Sequence, residues 1–431
     1  MKILIKGGRV IDPESGVNAV LDLLVDEGKV ARLGSGLSED GAQPYDATGC
    51  LVLPGLVDLH AHLREPGEEY KEDIASGTAA AAAGGFTSLA VMPNTRPVVD
   101  NSSLVRSVLE RVAQNGLVNV FPIGAISKGQ KGEELTEMGD MKEAGIVAVS
   151  DDGKPVQSSE LMRLALIYAN QFGLPVFSHC EDLSLVNEGV MNYGYTSNRL
   201  GLRGIPAAAE EVQVARDLIL AEATGAHLHL CHISTAGSVE LVRRAKERAM
   251  AGGFRVTCEV TPHHLTLTDE AVANSQYDTD TKVNPPLRTE ADLVALREAL
   301  ADGTIDAIAT DHAPHHQDDK LVEYNYAAFG ISGLETALAV IHDRLVRNGI
   351  LDWLTLVQRM SLTPARIIGI DRGRLSQGAV ADITIFDPAL RWTVDSRQFR
   401  SKGRNTPFEG QELVGRVRTT FVSGRLVYSA G

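Results

Sequence analysis

Hydrophobic and polar positions follow one rhythm at the two ends of the chain and another between them. Residues 3–11 and 20–25 alternate apolar and polar side chains in short runs, and residues 383–386 and 415–427 do the same. Such alternation is typical of short strands that bury one face of an antiparallel sheet. We predict that both chain ends pair with each other in one small composite β-sandwich domain.

The middle of the chain alternates short apolar runs, which end in polar residues, with longer helix-like stretches. The apolar runs predict eight strands, at residues 56–62, 87–93, 118–125, 146–152, 175–181, 227–234, 255–264 and 306–313. Helices are predicted between them, at residues 70–83, 102–114, 159–171, 206–224, 238–251 and 290–301. Eight parallel strands that alternate with helices predict an α/β fold, a (β/α)8 TIM barrel with its active site at the carboxyl ends of the strands. We place the barrel at residues 55–365 and the composite domain at residues 1–54 and 366–431.

The composition supports a folded core. Of the 431 residues 44% are hydrophobic and 23% are charged, a balance that favours a globular protein over a disordered chain. The net charge of −15 disfavours nucleic acids and anionic membranes as partners, because both are polyanions. The uncharged stretch 74–95 is too rich in small residues to predict a membrane span, and the first residues lack a secretory signal pattern. We therefore expect a cytoplasmic protein.

Six residues that can bind a metal ion end the predicted strands. They are His60 and His62 on the first strand, Asp151 on the fourth, His179 on the fifth, His232 on the sixth and Asp311 on the eighth. The alternate positions before them are apolar and are expected to fill the barrel, namely Val147, Val149, Phe177, Leu228, Leu230, Ala307 and Ala309. Because all these strand ends meet at one barrel mouth, the six side chains are expected to converge.

Imidazoles and carboxylates together favour zinc, which manganese or cobalt can replace. Six ligands exceed what one tetrahedral ion uses, so we expect two Zn²⁺ ions. Asp151 lies on the strand opposite the first and eighth strands, which makes it the expected bridge between the ions. A water held between two such ions ionises near neutral pH and can attack a polarised carbonyl.

Several motifs resemble those of one enzyme family. Asp58-Leu59-His60-Ala61-His62-Leu63-Arg64-Glu65-Pro66 is similar to the first signature of the type I dihydroorotases of the amidohydrolase superfamily. Ala309-Thr310-Asp311-His312-Ala313-Pro314-His315, followed by Lys320, is similar to the second signature. Further matches in the family's order are Met92-Pro93-Asn94-Thr95, Ser150-Asp151-Asp152-Gly153, Ser178-His179-Cys180-Glu181, Cys231-His232-Ile233-Ser234, Thr261-Pro262-His263-His264 and Val283-Asn284-Pro285-Pro286-Leu287.

The resemblance implies reversible, zinc-dependent cyclisation of N-carbamoyl-L-aspartate to (S)-dihydroorotate in pyrimidine biosynthesis. A hydroxide between the metals would attack the ring amide, with Asp311 as general base and then general acid. The residues implied to contact substrate are His62, Arg64, Asn94, Asn284, His315, Phe329 and Gly330. Arg64 is expected to hold the substrate carboxylate with its two-pronged guanidinium. A homodimer and association with aspartate transcarbamoylase are further possibilities that the family raises.

Two alternatives stay open. Another cyclic amidohydrolase, such as a hydantoinase or allantoinase, would usually bridge its metals with a carboxylated lysine on strand four. Here Asp151 ends that strand, and Lys154 follows only three residues later. A non-catalytic scaffold for aspartate transcarbamoylase would lack the six metal ligands that this sequence has.

Other polar residues near the strand ends are given structural roles. His227 and His229 have the opposite parity to His232 and are expected to face the helices. His263 and His264 are expected to support ligands rather than to bind metal. The polar stretch 316–328 lies beside the expected site, and we predict that it forms a mobile lid.

Overall fold

The computed structural model describes residues 2–250 and 252–430. Its strands, in chain order, are β1 (Ile3–Asp12), β2 (Val17–Asp26), β3 (Lys29–Gly34), β4 (Gln43–Asp46), β5 (Leu51–Pro54), β6 (Leu56–Ala61), β7 (Phe86–Val91), β8 (Asn119–Gly124), β9 (Ala148–Ser150), β10 (Val176–Ser178), β11 (Met191–Asn192), β12 (Gly204–Ile205), β13 (His227–Leu230), β14 (Arg255–Val260), β15 (Ala307–Ile308), β16 (Ile383–Thr393), β17 (Glu412–Val422) and β18 (Arg425–Ser429).

The α-helices are α1 (Ile74–Gly84), α2 (Ser102–Asn115), α3 (Met138–Ala144), α4 (Ser159–Gln171), α5 (Leu183–Val186), α6 (Tyr195–Leu200), α7 (Ala207–Thr224), α8 (Ala236–Ala249), α9 (Glu270–Asn274), α10 (Glu290–Asp302), α11 (Gln317–Lys320), α12 (Ala337–Ile341), α13 (Trp353–Val357) and α14 (Thr363–Ile367). Short 3-10 turns cover Lys128–Gln130, Thr279–Thr281 and Ser396–Gln398, and π-helical turns cover His342–Val346 and Gln358–Leu362. Within the described ranges, we find no helix with both the length and the apolar character that a membrane crossing requires.

Side-chain caps mark where the longer barrel helices begin. The capping residues are Asp73, Asn101, Ser158, Thr235 and Thr289, and each accepts a hydrogen bond from a backbone N–H of its first helical turn. Short polar residues are favoured there because they pair N–H groups that the helix itself leaves free. The predicted helix starts at residues 102, 159 and 290 follow directly after three of these caps.

The eight predicted barrel strands are present and parallel. They are hydrogen-bonded in the order β6-β7-β8-β9-β10-β13-β14-β15. Beyond the ends of β6 and β15 the ring closes, since the His62 N–H donates to the His312 carbonyl at 2.8 Å. The TIM-barrel prediction is confirmed, and all eight carboxyl ends open to one side.

Both chain ends build the second domain, as predicted. Its strands form one continuous sheet in the order β18-β17-β16-β5-β1-β2-β3, with β4 paired to β1. The sheet curls, because Gly28 in the β2–β3 turn lies against Ser423 in the β17–β18 turn, and the Tyr45 and Phe421 rings pack edge to face at 5.7 Å. The domain is therefore one curled sheet around its own apolar core rather than two separate sheets.

The barrel interior follows the predicted alternation only in part. The interior cluster includes the predicted side chains Val147, Phe177, Ala307 and Ala309. Three others, Val149, Leu228 and Leu230, belong instead to the outer layer between strands and helices. On β13 the inward-facing positions were predicted by counting back in twos from His232. This residue lies beyond the end of the strand and has a φ of 31°, so the alternation does not continue to it.

Helix α1 joins the barrel to the curled sheet. Thr420 donates to the Ala82 carbonyl at 2.7 Å, and Thr384 donates to the Gly85 carbonyl at 2.6 Å. At Gly84 an added Cβ would lie 2.1 Å from the Leu334 carbonyl oxygen, so only glycine permits this approach. The run of alanines in α1 is thus explained by close packing on both sides.

Candidate metal centre and active site

A cavity of about 220 Å³ opens at the carboxyl ends of the barrel strands. Its lining includes ten of the predicted site residues, namely His62, Arg64, Asn94, His179, His232, Asn284, Asp311, His315, Phe329 and Gly330. The predicted His60 is fully buried and its ring packs against those of His62 and His232. The position agrees with where TIM barrels place their active sites.

Three predicted ligands lie together at the ends of β6 and β15. The Asp311 Oδ1 atom is 3.2 Å from His62 Nε2 and 3.6 Å from His60 Nε2. Asp311 has a φ of 47°, and His232 a φ of 31°, conformations that non-glycine residues rarely adopt. The strand ends therefore turn sharply to aim these side chains into the cavity.

Asp152 lies at the centre of the histidines. Its Oδ1 atom is 3.3 Å from His60 Nε2, 3.5 Å from His179 Nδ1 and 3.7 Å from His232 Nε2. Its Oδ2 atom is 3.6 Å from His62 Nε2. This one carboxylate faces both the His60–His62 pair and the His179–His232 pair, which is the position that a bridging ligand requires.

The assignment of Asp151 as the bridge is wrong. Its carboxylate accepts hydrogen bonds from the backbone N–H groups of Ile126 and Ser127, at 2.8 Å and 3.1 Å, and from the Ser127 hydroxyl. Burial raises the pKa of Asp151 to about 6 despite these bonds. Strand β9 ends at Ser150, so both aspartates lie in the following turn, where strand alternation no longer decides which of them faces the cavity.

The donor set fits divalent metal ions. Two ligand atoms about 2.1 Å from one tetrahedral ion lie about 3.4 Å apart. The distances from Asp152 and Asp311 to the imidazole nitrogens, 3.2 to 3.7 Å, bracket this value. His60 Nε2 and Asp152 Oδ1 are buried and have no hydrogen-bond partner among the described residues, as expected of atoms that bind an ion.

Buried charges of opposite sign dominate the electrostatics of the cluster. Burial alone would raise the pKa of Asp152, but His60, His179 and His232 hold it well below its usual range. Burial would likewise lower the pKa of His60, but the Asp152 and Asp311 carboxylates raise it well above its usual range. The Asp152 and Asp311 carboxylates are therefore ionised, and buried anions need cations beside them. Metal ions bound to the histidines can supply this positive charge in place of protons on the imidazoles.

His60 is oriented by a carboxylate on the side of its ring away from the cavity, a residue that the sequence did not reveal. Its Nδ1 atom donates to Glu259 Oε1 at 2.8 Å, and His229 Nε2 donates to Glu259 Oε2 at 3.1 Å. All three side chains are fully buried, and burial of Glu259 is outweighed by the two histidines, which lower its pKa to about 2. The expectation that His229 faces the helices is thus wrong, because its ring packs against that of Phe177 inside the barrel, with 4.2 Å between the ring centres. Glu259 fixes the ring of His60 so that Nε2 faces the cavity.

Arg64 is a buried cation at the cavity wall. It donates from Nε to the Pro314 carbonyl at 3.2 Å and contacts His315 Nε2 at 3.3 Å. Among the described residues no carboxylate lies within 4 Å of its guanidinium. Burial, and then the neighbouring Arg64, lower the pKa of His315 to about 2, so His315 is neutral. The guanidinium can thus accept an anionic group of a ligand.

Asn94 connects the cation side of the cavity to the metal ligands. Its Oδ1 atom lies 2.9 Å from His62 Nδ1, and its Nδ2 donates to Asp152 Oδ2 at 3.3 Å. On the opposite wall, His264 lies 2.8 Å from the Thr261 hydroxyl and 3.0 Å from the Pro285 carbonyl. His264 therefore supports the loop that presents Asn284, in the supporting role expected for it.

The last wall of the cavity is made of backbone. Gly330 has a φ of 133°, and a Cβ there would lie 2.6 Å from Ala313 Cβ. The Phe329 carbonyl contacts His315 Nε2 at 2.9 Å. Of the His315-His316 pair only His315 enters the site, since His316 caps α11 at the surface.

Lys154 is exposed, away from the ligand cluster.

Comparison with known proteins gives full-length relatives. A family model described as dihydro-orotase-like matches residues 49–238. The dihydroorotase of Pelobacter propionicus is 56% identical over 429 residues, which cover 99% of this chain and 100% of the relative. Those of Citrifermentans bemidjiense and Pelotomaculum thermopropionicum are 57% and 58% identical, over 100% and 99% of this chain and 100% and 98% of the relatives.

Solved structures with the same fold include hydantoinases. An L-hydantoinase (dihydropyrimidinase) from Arthrobacter aurescens is 26% identical, with a TM-score of 0.89 over 100% of this chain and 96% of that one. A dihydropyrimidinase from Brevibacillus agri, 24% identical, has a TM-score of 0.85 over 100% and 95% of the two chains. The second of these shows the fold alone. Because the full-length relatives at 56 to 58% identity are dihydroorotases, the chain belongs to the dihydroorotase family.

Proposed function

We propose that this enzyme is a dihydroorotase that interconverts (S)-dihydroorotate and N-carbamoyl-L-aspartate, with ring closure as the biosynthetic direction. One observation supports this most directly: the buried Arg64 guanidinium faces the same cavity as the Asp152-centred ligands and has no carboxylate partner within 4 Å among the described residues. A cyclic amide that bears a carboxylate satisfies both features at once. Simple hydantoins lack that carboxylate.

The residues proposed to hold metal are divided between two positions that share Asp152. The first comprises His60, His62 and Asp311, and the second His179 and His232. We propose zinc at both positions, because imidazole and carboxylate ligands suit it. When bound, the metals supply positive charge that polarises the ring carbonyl and lowers the pKa of the attacking water.

Substrate is proposed to lie across the cavity from the ligands to Arg64. The Arg64 guanidinium would pair with the substrate carboxylate, Asn94 would donate to the same group, and His315 would contact it beside Arg64. Asn284 and the backbone of Phe329 and Gly330 would contact the ring. These contacts orient the ring amide toward Asp152 and Asp311.

Asp311 is the proposed proton carrier, because its Oδ1 faces the cavity beside His62. In the hydrolytic direction the water oxygen bonds to the ring carbonyl carbon and the carbon–nitrogen bond breaks. Asp311 accepts one water proton and donates it to the leaving nitrogen, and the second proton is released as the new carboxylic acid ionises. Burial alone would raise the pKa of Asp311, but His60 and His62 hold it well below its usual range, so the carboxylate is ionised before the reaction begins.

The competing function is that of a hydantoinase, which the fold alone would allow. The turn after β9 offers no lysine to the cavity, because Lys154 is exposed. Asp152 lies where a bridging ligand would be needed. A non-catalytic scaffold is disfavoured by the ligand cluster itself.

The proposal also includes a homodimer, association with aspartate transcarbamoylase and a cytoplasmic location. Sedimentation of the purified chain, with and without the transcarbamoylase, tests the first two.

The test is turnover of three substrates by one metal-loaded sample. We expect dihydroorotate to be hydrolysed, and hydantoin and allantoin to be left intact, with metal per chain measured in parallel. Arg64→Gln should raise KM for dihydroorotate by about tenfold to a hundredfold, since a charge-assisted pair is lost, while metal content stays constant. Arg106→Gln, at an exposed position on α2, is the matched control. Absence of dihydroorotate turnover with intact metal would overturn the proposal.

A further inference from the structure

Two lysines near the cavity are buried without an ion-pair partner. Lys282 is 2% exposed and Lys320 is 5% exposed. Within the described parts of the chain, neither ammonium has a carboxylate within 4 Å. Lysine is seldom buried in this way, because its charge must be taken out of water. Both ammonium groups instead donate to backbone carbonyls of the same stretch of chain.

Lys282 holds the beginning of that stretch. Its Nζ donates to the Tyr324 carbonyl at 2.8 Å and to the Asn325 carbonyl at 3.0 Å. The same ammonium lies 4.5 Å from the centre of the Phe329 ring. The backbone adds a further link, since the Gly330 N–H donates to the Lys282 carbonyl at 2.9 Å.

Lys320 holds the far end. Its Nζ donates to the Ala328 carbonyl at 2.9 Å and to the Gly330 carbonyl at 3.0 Å. The lysine is itself fixed, because Thr279 donates to the Lys320 carbonyl at 2.6 Å. Four ammonium–carbonyl hydrogen bonds thus span residues 324–330, which we call the wall segment.

Beyond these four bonds, the wall segment is held by Asn405, whose Nδ2 donates to the Gly330 carbonyl at 2.9 Å, and by the Ala327 and Ala328 N–H groups, which donate to the Glu323 and Asp319 carbonyls at 3.1 Å and 3.0 Å. Tyr324 and Ala327 are buried, but Tyr326 is 80% exposed, and Leu321 just before it is 77% exposed. The segment has no strand or α-helix of its own, so its carbonyls need partners from elsewhere. At the cavity its end presents the Phe329 carbonyl to His315 and the Gly330 backbone to the site.

We infer that Lys282 and Lys320 are positioning residues that clamp the wall segment in the conformation that binds substrate. The segment overlaps the 316–328 stretch predicted above to be a mobile lid, and the four bonds argue for a fixed wall instead. The inference rests on the proposed function only in its kinetic part. Each ammonium acts through the segment and does not touch substrate.

Removal of either clamp should weaken substrate binding more than it slows the chemical step. We expect Lys320→Met and Lys282→Met to raise KM for dihydroorotate by about tenfold, the effect of losing charge-assisted hydrogen bonds, with kcat changed less than about threefold. The double variant should raise KM by less than the product of the two single effects, because both lysines act on one segment. Lys6→Met, at an exposed lysine of β1, is the matched control and should match the unchanged enzyme.

Amide hydrogen exchange provides a readout that does not depend on turnover. In the unchanged protein without substrate, the Ala327, Ala328 and Gly330 N–H groups should be protected, and each methionine variant should expose them while strands β7 and β8 keep their protection. If Lys320→Met fails to fold, Lys320→Gln is tested in its place. Its side chain retains a hydrogen-bond donor, so its KM should rise by less than the roughly tenfold increase expected for Lys320→Met. Rapid exchange of the wall segment in the unchanged protein, or a KM unaltered in the folded variants, would overturn the inference. Failure of dihydroorotate turnover in the unchanged enzyme would remove the proposed function but leave the exchange test intact.

Discussion

At the residue scale, two neighbouring aspartates show how much one position matters. Asp151 is satisfied by Ile126 and Ser127, whereas Asp152 faces four histidines. We expect Asp152→Asn to lose most bound metal and to lower kcat by several orders of magnitude, because an amide cannot bridge two cations. Metal per chain, measured by atomic emission on folded protein, checks this.

The matched control is Asp151→Asn. An amide oxygen can still accept from the two backbone N–H groups, so metal content should stay near that of the unchanged enzyme. The free energy of unfolding should fall by about 1 to 2 kcal/mol, because the hydrogen bonds that Asp151 accepts lose the contribution of its charge. The reverse pattern, with metal lost from Asp151→Asn alone, would return the bridge to Asp151.

Glu259 is a second single residue with a strong expected effect. Glu259→Gln keeps the shape of the side chain but removes the charge that His60 and His229 share. Metal affinity should fall about tenfold to a hundredfold, the usual cost of losing a partner behind a ligating histidine. Competition with a chromogenic chelator measures this, and unchanged affinity would contradict the supporting role of Glu259.

At the element scale, the strands were predictable because short apolar runs with polar ends repeat eight times. The strand ends were not, since β9 covers only Ala148–Ser150 and β15 only Ala307–Ile308, and the ligands follow in turns. Alternation is a property of extended backbone and stops where φ becomes positive, as at His232 and Asp311. The sequence therefore predicts which strand ends meet but not which of two adjacent residues faces inward. A charged residue inside the apolar run of β14 was the available signal for Glu259.

The junction between α12 and the loop after the 3-10 turn Ser396–Gln398 yields a pH prediction. Glu335 accepts from the N–H groups of Arg400 and Ser401, and burial raises its pKa to about 7. A raised pKa means that the folded state favours the protonated acid. This contribution to stability is therefore full below about pH 4.5 and is lost as the pH rises through 7.

Glu335→Gln should remove that dependence, because the amide oxygen still accepts both hydrogen bonds. Between pH 5.5 and pH 8 the unchanged protein should lose about 1 kcal/mol more of its free energy of unfolding than the variant, a figure reduced for partial exposure. Urea unfolding at both pH values measures the difference. Glu133→Gln, at an exposed position, is the control, and equal slopes for all three proteins would refute the linkage.

At the scale of the whole molecule, metal ions should stabilise the fold as well as the site. Removal by a chelator leaves ionised Asp152 and Asp311 buried among histidines, and a ligand that binds only the folded state adds stability by mass action. We expect Tm to fall by several degrees on metal removal and to recover on addition of Zn²⁺. Asp152→Asn should respond far less, and an unchanged Tm after verified metal loss would contradict this.

The chain carries a net charge of −15, although the proposed substrate is itself an anion. Arg64 lines the cavity, and Lys282 and Lys320 lie behind the wall segment, so an anionic substrate meets one local cation at the cavity surface. The sequence predicted Arg64 from its motif. The sequence could not predict that the two lysines lie behind the wall segment, because they bind main-chain carbonyls. Every residue has a carbonyl, so no pattern of side chains marks these contacts.

The curled sheet has a consequence for synthesis of the chain on the ribosome. Strand β5 pairs with β16 along its whole length, yet β5 ends at Pro54 and β16 begins at Ile383. At about 5 to 20 residues per second, the first five strands wait on the order of 15 to 65 s for that partner. The entire barrel emerges during this delay, so the nascent chain exposes a ready β-edge until its last strands leave the exit tunnel.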